Sequence, residues 1–398
     1  MSIVFVIGEG ELTTLTLLDN LSKENWKEIM GIVYLKDDKI IFTGRAKLIN
    51  NLDYIPFPVR NRKNLKPELV DIAASRGCYG HCSFCGTREF YETCEGSHIR
   101  RRSPENVVAE IEQLINEFGA KTINFIDDNF FINSKSGEKW FYEFHSLIKG
   151  KNILVNFQCN FRANEVVANP GIIKDFIEIG LKRVFIGVES FLDKHLKFYN
   201  KLISAQQNIE ALKIVDSLKV NYDIGYLLYN PITTIDDIIE TVHIVEKIKF
   251  NEANKHIIRP FSAAVVASTY GTPLNDYILE NTLESASFKG YYIKEPKARL
   301  CYEVADKWKC KTDHLYLNRH LFDIAENNAD FAKMMECKNT FYDLLNYDLA
   351  FLNTIASAIA NEEMNCIEEF DFIVDQWYSR VVGIVERFER LKEALLQS

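Results

Sequence analysis

Residues 73–89 read ASRGCYGHCSFCGTREF and put three cysteines, Cys78, Cys82 and Cys85, inside eight residues. Their spacing is C-x3-C-x2-C, with no fourth cysteine to complete the set nearby. Gly77, Gly80 and Gly86 surround them and permit the tight backbone that three ligands to one metal centre require. A cubane [4Fe–4S] cluster has four irons, and ordinary electron carriers give each of them a cysteine. Three thiolates leave one iron without a protein ligand, and an open coordination position is the mark of a catalytic metal centre. The competing reading is a structural zinc closed by His81, which makes the chain a zinc-stabilised binding module. His81 lies inside the loop, where its reach is poor.

Outward from this loop the sequence alternates. Short β-rich runs at 69–75, 122–128, 153–159, 183–190, 221–230 and 255–268 are separated by helical patterns at 104–118, 137–149, 170–180, 191–197 with 204–218, and 234–249. Ser103-Pro104-Glu105 is a helix start, with a Ser cap, Pro in the first turn and an acid at the positive end of the dipole. Strands alternating with helices predict a parallel sheet in an α/β fold. Six units fall short of the eight in a closed barrel, so the expected core is a partial (β/α)6 TIM-like barrel over 68–290. The cysteines follow its first strand. Ligands in such folds sit beyond the carboxyl ends of strands.

Residues 1–67 differ in character. SIVFVIGEGELTTLTLLDNL reads as strand, glycine turn and helix, MGIVYLKDDKIIFTG as a hairpin, and LDYIPFPVRNRKNLKP as a proline-rich linker. The G-x-G in the first stretch is weak evidence for dinucleotide binding, because Glu9 and Glu11 repel a pyrophosphate. Residues 291–398 carry helical periodicity and no strand signal, which predicts a helical C-terminal domain.

The 398 residues carry a net charge of −9, so the overall field gives no help to nucleic-acid or anionic-membrane binding. Arg100-Arg101-Arg102 is a local exception, expected to pair with nearby acids or with one anionic group. No run reaches the ~20 apolar residues of a membrane span. The N-terminus lacks a basic n-region. The expected location is cytoplasmic, where nine cysteines read as buried residues, metal ligands or redox groups rather than disulfides.

The thiol loop in this context resembles the radical S-adenosylmethionine (SAM) superfamily. The resemblance implies a [4Fe–4S] cluster on Cys78, Cys82 and Cys85, SAM bound at the open iron, and an external reductase or flavodoxin-type electron donor. It implies that one electron cleaves SAM and that the resulting 5′-deoxyadenosyl radical abstracts a substrate hydrogen. It also assigns SAM contacts: Phe84 against the adenine, Asp127 and Asp128 toward the amino group, Gln158 and Arg162 beyond the third strand with Arg162 toward the carboxylate, and Glu189 and Ser190 toward the ribose. The family's usual Gly-Gly-Glu at the second strand is replaced here by Ile-Asp-Asp.

Over residues 1 to about 290 the order of motifs is most similar to the branch with an N-terminal cobalamin-binding domain. There a Gly-Glu-Gly-Glu turn, here residues 8–11, closes that domain. The chain begins where such a domain ends and has no Asp-x-His-x-x-Gly motif, so no cobalamin bound by this chain is expected. The resulting expectation is direct hydrogen-atom abstraction from a natural-product substrate, sugar-like, aminoglycoside-like or peptide, giving epimerisation, dehydration, oxidation or rearrangement. The alternative is a methyltransferase that takes cobalamin from a separate partner protein.

Tyr229, Asn230, Ser268, Thr269 and Tyr270, after the fifth and sixth strands, are candidate substrate contacts. The C-terminal helices, with Trp308, His314 and Tyr316, are a candidate lid. Cys94 and Cys159 read as barrel-flanking thiols, with burial the default for Cys159. Cys301, Cys310, Cys337 and Cys366 are too widely spaced for a second cluster, and a single one is a candidate hydrogen-atom donor.

Overall fold

The computed structural model describes residues 3–22, 24–61, 63, 65–248, 255–256, 261–281, 293–316, 318, 321 and 330–396. Two compact units emerge, one of residues 1–160, 178–180 and 269–273, the other of 161–177, 181–268 and 274–398.

In the first unit, β1 (Val4–Val6), α1 (Gly10–Asn20), β2 (Ile32–Lys36) and β3 (Lys39–Phe42) form the expected strand, helix and hairpin. The sheet order is β1-β2-β3, antiparallel throughout. Asp37 and Asp38, at φ 48° and 58°, make the left-handed two-residue turn that matches strand twist. Phe5, Val33 and Phe42 stand in register across one face. On the same face Leu35 is paired with Ile40.

The barrel-like part of this unit holds β4 (Val70–Ile72), β5 (Ser75–Arg76), α2 (Gly86–Glu92), β6 (Arg100–Arg101), α3 (Pro104–Phe118), β7 (Thr122–Phe125), α4 (Lys135–Gly150) and β8 (Asn156–Arg162). β4, β7 and β8 pair in parallel, in that order. Helix α3 starts as expected: Ser103 Oγ accepts the Asn106 N–H at 3.1 Å, and Gly119 ends it at φ 70°. The buried face of α4 carries Trp140, Phe141, Phe144 and Ile148. Phe144 meets Phe125 and Phe157 edge-on at 6.0 and 5.8 Å. The third strand begins three residues later than expected, because Ile153 N–H is used on Ile148 O to close α4, and Asn152 sits at φ 51°.

The second unit holds α5 (Ala163–Ala168), α6 (Pro170–Glu178), β9 (Leu181–Glu189), α7 (Asp193–Phe198), α8 (Ala205–Ser217), β10 (Asn221–Tyr226), α9 (Ile235–Ile248), β11 (Lys255–His256), α10 (Pro273–Asn281), α11 (Pro296–Tyr316), α12 (Phe331–Ala360) and α13 (Asp371–Leu396). β9, β10 and β11 are parallel neighbours in order. The run expected as a strand over 255–268 is strand only at 255–256. Residues 261–263 form a 3-10 turn, and 257–260 lie outside the described residues. The C-terminal residues are helical as expected, with Trp308 of α11 stacked on Phe351 of α12 at 4.6 Å. Asp348 of α12 accepts from Ser262 N at 2.8 Å and from Trp308 Nε1 at 2.9 Å.

Candidate active site

The three cysteines lie on one loop whose two ends are paired. β5 and β6 are antiparallel, with Ser75 opposite Arg101 and Arg76 opposite Arg100, so residues 77–99 form a closed excursion. Gly77 begins it at φ 86°, where an added Cβ would lie 2.0 Å from His98 O. The side chain of Asp128 braces the loop from the end of β7. Its Oδ2 accepts Gly77 N–H at 3.1 Å, and its Oδ1 accepts the Thr87 hydroxyl at 3.1 Å. Thr87 Oγ1 also lies 3.3 Å from Cys85 Sγ.

All three thiols are half-buried, and Gly80 N–H donates to Cys78 Sγ at 3.3 Å. Among the described residues, no three His, Cys, Asp or Glu side chains converge on a point where a single ion would sit. The donor set, three half-buried thiols on one loop with the Gly80 N–H on Cys78, fits a [4Fe–4S] cluster in which each thiolate takes a different iron. His81 is exposed, and its Nδ1 is engaged by Arg88.

An open cleft of about 740 Å³ lies beside the loop, lined among others by Gly86, Thr87, Phe90, Asp128, Thr269 and Tyr270. Tyr270 is exposed there. Phe84 and Gln158 are half-buried. Gln158 belongs to a polar row, Asp71–Asn124–Gln158, in register across β4, β7 and β8, with Asn124 Nδ2 donating to Asp71 Oδ1 at 2.7 Å. Asp127 points elsewhere: it is 1% exposed, and its oxygens accept from Ala74 N at 3.0 Å and from the Ser75 hydroxyl. Burial pushes its carboxyl up to about 6, against the hydrogen bonds from Ser75 and Ala74.

In the second unit, Arg162 and Glu189, the last residues of β8 and β9, meet at Lys201. Lys201 Nζ lies 2.8 Å from Glu189 Oε1, and Arg162 Nη2 donates to Lys201 O at 2.6 Å. Glu189 is held at φ 65°. Gly187 and Gly225 leave room for the pair, since a Cβ on either would approach Glu189 to 3.0 and 3.3 Å. Ser190 is fully buried, accepts Leu192 N–H at 3.1 Å and lies 3.5 Å from His195 Nδ1. His195 Nε2 in turn lies 3.4 Å from Asp237. Burial raises the Asp237 pKa, but hydrogen bonds from His195, Lys194 and Thr234 hold it well below the usual carboxylate range.

Tyr229 and Asn230 are fully buried rather than mouth-facing. Tyr229 OH meets Cys301 Sγ at 3.6 Å, and Asn230 Nδ2 donates to Tyr199 OH at 2.9 Å. Ser268 is exposed and bonds Asn275 at 3.1 Å. Cys94, Cys159, Cys301 and Cys337 are buried; Cys310 and Cys366 are exposed. Burial pushes the thiols of Cys301 and Cys337 up to about 12. Trp308 and Tyr316 are buried within α11, and His314 is exposed.

Residues 72–245 match the model of the radical SAM superfamily. The chain carries a radical SAM domain. It is 29% identical over 310 residues to an uncharacterized methyltransferase of Pyrococcus horikoshii, which covers 76% of this chain and 64% of that protein. It is 25% identical over 369 residues to the anaerobic magnesium-protoporphyrin IX monomethyl ester cyclase of Cereibacter sphaeroides, covering 86% and 57%. The radical SAM chain thus spans about three-fifths of the length of these relatives. Its fold matches the cobalamin-dependent radical SAM enzyme OxsB at a TM-score of 0.69 and 18% identity, over 99% of this chain and 64% of that one. The methyltransferase TsrM of Kitasatospora setae matches at 0.56 and 14%, over 73% and 58%. The α/β partial-barrel fold is that of radical SAM enzymes, the class whose domain the chain carries over residues 72–245.

Sequence reading of this radical SAM chain missed Thr87, Lys201, His195, Asp237 and the bracing role of Asp128. Each acts through a partner 12 to 51 positions away or through a helix whose short length left no periodic signal. At the start of α9, Thr234 N–H donates to Asp237 at 2.7 Å. Among the described residues no helix is long and apolar enough to cross a membrane.

Proposed function

We propose that this radical SAM enzyme transfers a methyl group to an organic substrate, using cobalamin carried by a separate protein domain. The names of relatives support methyl transfer, and the two solved structures above are both radical SAM enzymes that bind cobalamin. The observation that carries the partner is the apolar face of the N-terminal sheet. Phe5, Leu35, Ile40 and Phe42 are 60, 59, 75 and 50% exposed there, in register around Val33. A continuous apolar face of this kind marks an interaction surface. It continues into a cleft of about 460 Å³ between Val33, Phe42 and the α2 residues Glu89 and Glu92, with Thr93 just beyond the helix. Glu89 and Thr93 also line the larger cleft beside the thiol loop, so a domain seated on this face adjoins that loop.

When bound, the cluster supplies the electron that cleaves SAM. Cys78, Cys82 and Cys85 hold it, and Asp128 fixes the loop through Gly77 and Thr87. Phe84 and Gln158, both half-buried in the first unit, serve as SAM contacts. Asp127, Arg162 and Ser190 bond inward instead, to Ala74, Lys201 O and Leu192 N. Tyr270 contacts substrate in the cleft. A flavodoxin-type protein delivers the electron.

Direct hydrogen-atom abstraction from a natural product is the second reading. It is kept because one matched relative is described as a cyclase and another, from Priestia megaterium, as 4′-phospho-dehydrooxetanocin synthase. Anaerobic reconstitution with iron and sulfide, then reductant, methyl-labelled SAM and hydroxocobalamin, separates the two. Label entering the corrinoid fraction, lost in the Cys78→Ala, Cys82→Ala, Cys85→Ala variant, is the expected result. 5′-Deoxyadenosine without label transfer favours the second reading. No SAM cleavage with tightly held zinc overturns both.

A further inference from the structure

The Gly-Glu-Gly-Glu turn has a structural partner that its sequence does not announce. Glu9, 8% exposed, receives four hydrogen bonds on one carboxylate. Arg100 grips it with two, Nη1 to Oε2 and Nη2 to Oε1, both at 2.8 Å. Arg76 Nη1 adds one at 2.9 Å, and Ile49 N–H one at 3.1 Å. Glu11 takes the other end of Arg76. Arg76 and Arg100 are not scattered cations: they stand directly opposite each other in the β5–β6 ladder, the two feet of the loop that carries Cys78, Cys82 and Cys85.

Like charges facing each other across a ladder repel. Without an intervening carboxylate this pairing works against the closure of the loop. Glu9 reverses the sign of that interaction and does so bidentately, which fixes direction as well as distance. The N-terminal segment is also stitched to the loop's second half by backbone: Glu95 N–H donates to Ala46 O and Leu48 N–H to Glu95 O, both at 2.8 Å. Gly8, at φ 80°, lets the turn come so close to Cys94 that an added Cβ would sit 2.1 Å from its Sγ.

We propose that Glu9 is a positioning residue for the thiol loop, setting the spacing of the three cysteines by bridging the arginines at its two feet. The inference rests on the cluster reading only for its consequence, not for its geometry, so it is tested on the apo chain as well as the reconstituted one. Glu110 is the matched control. It is a carboxylate of 1% exposure that pairs with Arg60 at 2.8 Å and Arg102 at 2.5 Å but touches neither foot of the loop.

Glu9→Gln, Glu9→Asp and Glu110→Gln are compared with the parent chain. Iodoacetamide labelling of Cys78, Cys82 and Cys85 is timed by mass spectrometry in the apo chain. Iron content and the rate of iron loss to a chelator are measured after reconstitution, and melting temperature is recorded for each. The expected result is at least ~5-fold faster alkylation of the three loop thiols and faster iron loss in Glu9→Gln, partial rescue in Glu9→Asp, and no change at those thiols in Glu110→Gln despite a lowered melting temperature. Equal alkylation and iron loss in Glu9→Gln and Glu110→Gln overturns the proposal. Should Glu9→Gln not fold, Arg76→Gln, which leaves the Glu9–Arg100 pair intact, is read on the same thiols with the same two outcomes. Faster alkylation in a chain whose parent takes up no iron leaves the clamp standing and removes the cluster reading instead.

Discussion

Lys201 holds Glu189 through a 2.8 Å ion pair in which the lysine side chain is 5% and the glutamate side chain 12% exposed. The pair stands where β9 ends, with Glu189 at φ 65°. Removing one member of a buried pair leaves an uncompensated charge, at a cost of about 3–5 kcal/mol. Lys201→Met is expected to lose roughly that much in denaturant unfolding. The double variant Lys201→Met, Glu189→Gln is expected to recover part of it.

Asp127 gives the enzyme a pH dependence of defined sign. Its carboxyl is raised from 3.8 to about 6 in the folded chain, so the folded state holds a proton that the unfolded state has released. Its contribution is therefore most favourable below about pH 4 and is lost as pH rises through about 6. The loss is on the order of 3 kcal/mol. In Asp127→Asn the slope of stability between pH 4 and 6 is expected to flatten, measured by denaturant unfolding across that range.

Gly77→Ala tests whether the loop tolerates any side chain at its first residue. A Cβ there meets backbone, 2.0 Å from His98 O, and the left-handed φ of 86° adds about 1–2 kcal/mol. The expected outcome is a chain with near-parent circular dichroism that takes up less than half the parent's iron on reconstitution.

The cysteines divide by environment. Cys78→Ala, Cys82→Ala and Cys85→Ala are each expected to abolish SAM cleavage, while Cys94→Ala, Cys301→Ala and Cys337→Ala keep it and lose stability by about 1–3 kcal/mol as buried side chains are trimmed. Quantified 5′-deoxyadenosine and melting curves check both halves. A product change in Cys301→Ala alone points to a hydrogen-atom donor at that thiol.

The apolar sheet face predicts a separation of activities. Leu35→Glu with Ile40→Glu places two charges on the face at positions that do not line the cleft shared with α2. SAM cleavage by the isolated chain is expected to stay within about twofold of the parent. Methyl transfer to corrinoid carried by a protein domain falls at least tenfold, read with the same labelled SAM.

Much of the barrel was legible because its signals are local. Helix α3 runs Pro104–Phe118 as its Ser-Pro-Glu start and apolar stripe require, and the hairpin turns at Asp37-Asp38. The run at 255–268 misled because a continuous apolar stretch has no period that separates strand from buried turn. Tyr229 and Asn230 misled for a related reason: polar residues after a strand end suit a binding mouth and a satisfied buried turn equally. Here Thr233, Tyr199 and Cys301 satisfy them.

By itself the sequence determined the radical SAM domain over residues 72–245. Three thiols at fixed spacing after a first strand are a short-range constraint, written in consecutive residues and independent of packing. Only the tertiary structure decided what holds that loop in shape. The bridge from Glu9 to Arg100 spans 91 positions, and that from Asp128 to Gly77 spans 51. Such partners have no mutual signature in sequence, because a buried carboxylate and a surface one are spelled alike until the chain brings a cation to one of them.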